Sequence, residues 1–204
     1  TLTIEGDVTF TQLTFNGDGD TVVNGQLMNG LSSETLLSQD FENFGGGQTD
    51  PGDSQILIEG WVNDTTDDVD WVSDQAGTGS GGTGPNVDNT LGTNSGTYMY
   101  VEASGVGTGG KTARMTSPVI DLTGFTAAQL DFFYHMHGDT IGTLSAQAST
   151  DGGTNWSGDL FSLTGEQQQS QGDPYQQAVV DLTPYAGANN LQLRVTNVTG
   201  SSFT

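Results

Sequence analysis

What most limits the fold of this chain is the shortness of its apolar runs. Leu2 and Ile4, Val8 and Phe10, Leu13 and Phe15, then Val22 and Val23 come in brief bursts, broken by Gly6-Asp7 and by the acidic turn Asn16–Asp20. The same rhythm continues to the end of the chain, with Gly, Asp, Asn or Pro closing each burst. A helix needs apolar residues every three or four positions over ten or more residues, and no such stretch exists; alternation with period two is the mark of a half-buried strand. The 31 glycines supply turns, and no run nears the roughly 18–20 apolar residues of a membrane-spanning helix. An all-β sandwich or jelly roll is the fold class that fits.

The spacing predicts strands at Thr97–Ala103, Ala113–Ile120, Gln129–His137, Gly142–Ser149, Leu160–Leu163, Gln176–Leu182 and Leu191–Asn197. Phe41, Trp61, Val69 and Trp71 are core candidates, and 77–84 reads as a loop. Residues 1–28 form a short stranded segment, either the end of a preceding domain or an added strand, because two or three short strands cannot stand alone. Residues 29–39 read as a linker with a helical turn near Glu34–Leu37, and a sandwich occupies 40–204.

Charge narrows the function. Asp and Glu number 25 against three basic residues, Lys111, Arg114 and Arg194, for a net charge of -22. Without a basic surface to displace counterions, nucleic acid is excluded as a partner, and so is adsorption to anionic membranes. Crowded carboxylates repel one another, and bound cations relieve that repulsion. There is no cysteine, so no disulfide frames the fold.

Several pieces fall in a familiar order: Asp40-Phe41-Glu42; Gly60–Asp64; Asp68-Val69-Asp70-Trp71; Thr83–Asp88 with Thr90; Gly96–Glu102; Ala113–Pro118; Leu130–Gly138; and Ile141–Leu144. Together they resemble a MAM domain, the module shared by meprins, neuropilins and receptor tyrosine phosphatases. The resemblance implies a jelly-roll β-sandwich of the concanavalin-like type, with Asp40–Glu42 as its opening strand. Three departures stand out. The cysteines of animal members are missing, Asn43–Glu59 lengthens a loop, and the last strand of the family is absent before Thr204. Either another segment completes the domain, residues 1–28 being one candidate, or the domain lacks that strand. The missing cysteines and the acidity fit a microbial source.

Carboxylates are the abundant chemical groups. Calcium takes six to eight oxygens, often from separated loops, and the resemblance implies a structural cation near the opening strand. Glu42, Asp68 and Asp70 are the first candidate ligands and Asp88 the next. The loop Asn16–Asp20 fails the twelve-residue calcium pattern, since Val22 and Val23 stand where ligands belong. His135 and His137 share one face of a strand, but with no third His and no Cys they read as structural. Glu5-Gly6-Asp7 approaches a paired-carboxylate hydrolase strand, but Phe10 takes the place of its last acid. Trp156, in a Gly-rich segment, is the aromatic residue freest to meet a ligand.

These readings converge on a non-catalytic recognition or adhesion module, extracellular or at the cell surface, borne by a larger protein and stabilised by calcium. Its partner would be a surface protein, another copy of itself, or a glycan. The rival expectation is a carbohydrate-binding module attached to a secreted glycosidase or protease.

Overall fold

The computed structural model describes residues 34–44, 57 and 59–202, and of residues 1–33 the backbone course of five strands. These are β1 (Leu2–Phe10), β2 (Thr14–Phe15), β3 (Thr21–Val23), β4 (Gln26–Met28) and β5 (Leu31–Ser32). After a 3-10 turn at Glu42–Phe44 come β6 (Val62–Asn63), β7 (Val72–Gln75), β8 (Thr97–Val101), β9 (Thr112–Thr116) and β10 (Gln129–Met136). The chain finishes with β11 (Thr143–Ser149), β12 (Phe161–Thr164), β13 (Gln176–Asp181) and β14 (Gln192–Val198). Two five-stranded antiparallel sheets result, ordered β13-β10-β1-β8-β7 and β12-β11-β14-β9-β6. From β6 onward the chain passes repeatedly between them, so both sheets contribute to one jelly-roll sandwich.

Alternation explains the second sheet. In β9, Ala113 and Met115 are buried while Arg114 faces outward; in β14, Leu193 and Val195 are buried on either side of Arg194. The inward residues meet Leu130, Phe132, Tyr134 and Met136 of β10 in a core that also takes Phe41, Trp61 and Trp71. Trp71 donates its indole N–H to the Ala113 carbonyl at 3.3 Å, which satisfies its one polar atom inside the core.

The first sheet is enclosed on both sides along β8 and around His135 of β10, while the outward residues of β13 are exposed. All five residues of β8 are buried: Met99 and Val101 face the core, while Tyr98 and Tyr100 pack with Val72 on the opposite side. That outer side lies under two loops, 76–88 and 166–175, tied by Gln171 Nε2 to the Thr83 carbonyl (2.9 Å), Asn86 N to the Gln171 carbonyl (3.0 Å) and Tyr175 Oη to the Val87 carbonyl (3.3 Å). The outer face of the second sheet is more open: Arg114, Thr116, Thr143, Gln147, Gln192 and Arg194 along it are partly exposed, although Ser145 and Thr196 are buried and part of the face lies under the segment that follows β11.

Strand β1 runs antiparallel between β8 and β10, with Leu2 opposite both Val101 and Met136 and a break in register between Glu5 and Thr9. The seven strands predicted from Thr97 onward all form, with ends shifted by a few residues; Ile120 joins Leu191 in an isolated bridge rather than extending β9.

Two local expectations fail. Glu34–Leu37 forms no helical turn, since four residues containing a β-branched Thr35 cannot repay the cost of nucleation; Leu36 and Leu37 instead pack against the core. Asp40–Glu42 is not a strand: Phe41 has φ of 61° and leads into the 3-10 turn. The Asn16–Asp20 turn, Glu5-Gly6-Asp7 as side chains and most of Asn43–Glu59 lie outside the described residues.

Candidate functional site

The left-handed backbone at Phe41 costs about 1–3 kcal/mol, and burial of the ring offsets a similar amount. Phe41 is fully buried against Phe44 and Trp61, with ring centroids 5.3 and 6.0 Å away. Side chains brace the turn. Gln39 accepts from Phe41 N at 2.6 Å and donates to Glu59 at 2.6 Å, and Asp40 accepts from Glu42 N at 3.1 Å. So held, Glu42 accepts a hydrogen bond from Thr97 N at 3.2 Å, where β8 begins.

Asp88 arrives at the same place from the loop before β8. It is buried, accepts from Thr93 N at 2.8 Å and from Leu91 N, and lies so close to Gly96 that a Cβ there would sit 1.9–2.2 Å from its carboxyl atoms. Gly96 is therefore required by space. Burial raises the pKa of Glu42, against the lowering effect of the Thr97 N–H, and the nearby charges of Asp88 and Asp40 raise it further. Two carboxylates in contact hold a proton or attract a cation.

The other two candidate ligands lie in a different neighbourhood. Asp68 accepts from Thr112 N at 2.9 Å and pairs with Lys111 at 3.4 Å, so its pKa falls, chiefly through the Thr112 N–H. Asp70 is buried beside Asp67. Asp67 is pushed up to about 7 by burial, only partly countered by the Arg114 N–H, and Asp64 adds to the rise. Among the described residues no three of His, Asp and Glu gather closely enough to hold a metal ion. Glu42, Asp68, Asp70 and Asp88 thus do not form one four-carboxylate centre: Glu42 and Asp88 meet, and Asp68 and Asp70 serve the loop that docks on β9. For calcium, Glu42 and Asp88 fit by charge, but backbone carbonyls and water would have to supply most of the oxygens.

The histidines are structural in their surroundings. His135 is buried against the Tyr175 ring (5.3 Å), and burial, with His137 nearby, lowers its pKa to about 4, so it is neutral at physiological pH. His137 Nδ1 lies 2.9 Å from Glu166 and 3.1 Å from the Gln168 carbonyl, which fixes the loop after β12.

Trp156 stands on the open sheet. The β11–β12 loop is knotted around Asp151, which accepts from Ser149 Oγ (2.8 Å), Asn155 N (2.9 Å) and Asn155 Nδ2 (2.7 Å). These donors, the Asn155 N–H foremost, lower the pKa of Asp151 to about 2. The knot carries Trp156 over the sheet, where the Arg194 guanidinium lies 4.2 Å from its ring centre. Beside this pair runs a cleft of about 260 Å³ lined by Val62, Asp64, Thr116, Gln192 and the turn Gly152-Gly153. Sequence reasoning singled out Trp156 but missed Arg194 and Gln192. Their signal was their place on alternate, outward positions of a strand.

The MAM domain family, meprin/A5/mu, matches residues 52–203. The chain is 33% identical over 135 residues to human MAM domain-containing glycosylphosphatidylinositol anchor protein 2, covering 61% of this chain and 14% of that protein. It is 32% identical over 150 residues to chicken MAM domain-containing glycosylphosphatidylinositol anchor protein 1, covering 72% of this chain and 15% of that one. Neuropilin-1 of Xenopus laevis is 31% identical over 129 residues, 63% of this chain and 12% of its own length. The chain therefore spans about a seventh of the first two relatives. The K1 cleaved adhesin domain of Lys-gingipain from Porphyromonas gingivalis W83 superposes with a TM-score of 0.46 at 16% identity, over 70% of this chain and 89% of that one. With the family match running across the sandwich from before β6 to beyond β14, this chain belongs to the MAM domain family.

Proposed function

We propose that this chain is a non-catalytic recognition and adhesion module, displayed outside the cell on a longer surface or secreted protein. Membership of the MAM family carries the reading: the matching relatives include glycosylphosphatidylinositol anchor proteins, of which this unit spans a small part. Its partner is a surface protein or a second copy of itself. Sedimentation of the purified chain, together with binding of the labelled chain to intact cells, tests this. A chain that stays monomeric at high concentration and leaves every cell surface bare would refute it.

Calcium belongs to the same proposal as a stabiliser of the fold, with Glu42 and Asp88 as its carboxylates. Their contact and the raised pKa of Glu42 support it, since a divalent ion removes the repulsion that burial makes costly. Melting with calcium and with EDTA decides the point, and an unchanged midpoint removes the ion from the account.

A further inference from the structure

We propose that the Trp156 cleft is a subsite for one neutral pyranose ring of a surface glycan. This rests on the reading of the chain as a recognition module and names a ligand class and a place for it.

Four observations lead there. First, the cleft opens on the outer face of the second sheet, beside the β11–β12 loop, within reach of a large partner. Second, its size is about 260 Å³, just below the roughly 300 Å³ at which sites for drug-sized ligands begin, which suits a single ring.

Third, its walls combine an aromatic ring with planar polar groups that retain bonding capacity. Arg194 has five N–H donors, and Nε and one Nη2 hydrogen engage Gln147. Gln192 uses Nε2 on the Ser117 carbonyl at 3.4 Å, while its Oε1 lies beside the cleft turn. A sugar ring offers adjacent hydroxyls, each both donor and acceptor, and an apolar C–H face for an indole. At Gly153 a Cβ would stand 3.4 Å from the Trp156 ring and 3.8 Å from Gln192 Oε1, so a bare backbone keeps the space between them open.

Fourth, charge favours a neutral ligand. Burial and the neighbouring Arg114 disfavour the charge on Arg194, the acids Asp64 and Asp159 stand close to it, and the chain as a whole carries -22. A uronate or sulfated sugar would meet repulsion at range and acidic neighbours around Arg194 on arrival. A peptide would want an apolar pocket or an open strand edge; Val62 and Trp156 give little of the former, and the edge strand β6 offers only two residues for pairing.

Intrinsic fluorescence offers a direct readout, because Trp61 and Trp71 are 2% and 0% exposed and Trp156 is the half-exposed indole. The full chain is titrated with neutral gluco-, manno-, galacto- and xylo-oligosaccharides and with matching uronate oligosaccharides. Saturable quenching by at least one neutral series is expected. By calorimetry, Trp156→Ala and Gln192→Leu should each weaken that binding by about tenfold or more, a loss of about 1.4 kcal/mol, with the melting midpoint confirming that each variant folds. No binding across the neutral panel overturns the proposal, as does binding confined to uronates or binding untouched by both variants. Self-association or cell binding that persists while sugars fail to bind would sink the glycan subsite and leave the recognition module standing.

Discussion

Asp88 is the residue on which the junction between the first turn and β8 depends, and Asp88→Ala is the sharpest test of it. The carboxylate accepts from the N–H groups of Leu91 and Thr93 and is itself buried, while the residues that donate are exposed. Bonds to a charged group contribute about 1.5–3 kcal/mol each, and a donor that water can reach recovers part of the loss. Two such bonds lost, less the relief given to Glu42, leaves a destabilisation of about 2–4 kcal/mol. At about 2–4 °C per kcal/mol for a domain of this size, the midpoint should fall by about 5–15 °C. Asp88→Asn keeps one acceptor oxygen and should lose about half as much. Gly96→Ala displaces the same carboxyl group by steric contact, so the double variant with Asp88→Ala should be no worse than the poorer single one. Urea unfolding without metal, followed by near-ultraviolet circular dichroism, measures all of these. An Asp88→Ala chain within about 0.5 kcal/mol of the parent, or additive losses in the double variant, would refute the reasoning.

Three other perturbations follow from the same packing. Because burial raises Asp67 from 3.8 to about 7, the folded state holds a proton there that the unfolded chain has released, and stability falls as pH rises through that interval. Asp67→Asn cannot ionise. It should gain about 1–2 kcal/mol on the parent between pH 5 and pH 8, a figure reduced for solvent access to the loop, and parallel urea curves at the two pH values would disprove it. Phe41→Ala empties a site enclosed by Phe44 and Trp61 and should cost about 3–5 kcal/mol; a loss under about 1 kcal/mol would mean that the turn collapses freely. Deleting residues 1–12 removes β1 from between β8 and β10 and leaves two strand edges open in the middle of a sheet. The shortened chain should melt lower or aggregate, and an unchanged midpoint with a clean monomer would show the strand to be dispensable.

The strands from Thr97 onward were legible because each needs only the alternation of near neighbours, as with Ala113, Met115 and the outward Arg114. Phe41 was not, because its positive φ accompanies a bond to Gln39, itself held by the distant Glu59, on a chain that must turn before it can pack. The acids divide on the same principle. Glu42 and Asp88 are far apart in sequence and meet through two loops that carry no periodicity. Asp68 and Asp70 sit close to Glu42 in family order, yet follow the loop that docks on β9. The cleft lies between these extremes. Trp156 was visible in its Gly-rich segment, whereas Arg194 needed the register that brings β14 beside β9 and β11.

The unequal covering of the two sheets has a consequence for how such a domain can change. Along β8 every side chain is enclosed, so a substitution at Tyr98 or Met99 disturbs either the roof or the core and is felt as lost stability. At an outward position whose side chain makes no hydrogen bond among the described residues, such as Thr116, the backbone ladder keeps its place whatever the side chain is, and an exchange there shifts stability by about half a kcal/mol. Changes at those outward positions therefore cost the fold less than changes along β8. Such outward side chains on β9, β11 and β14 can thus be exchanged without first having to be rescued elsewhere in the fold.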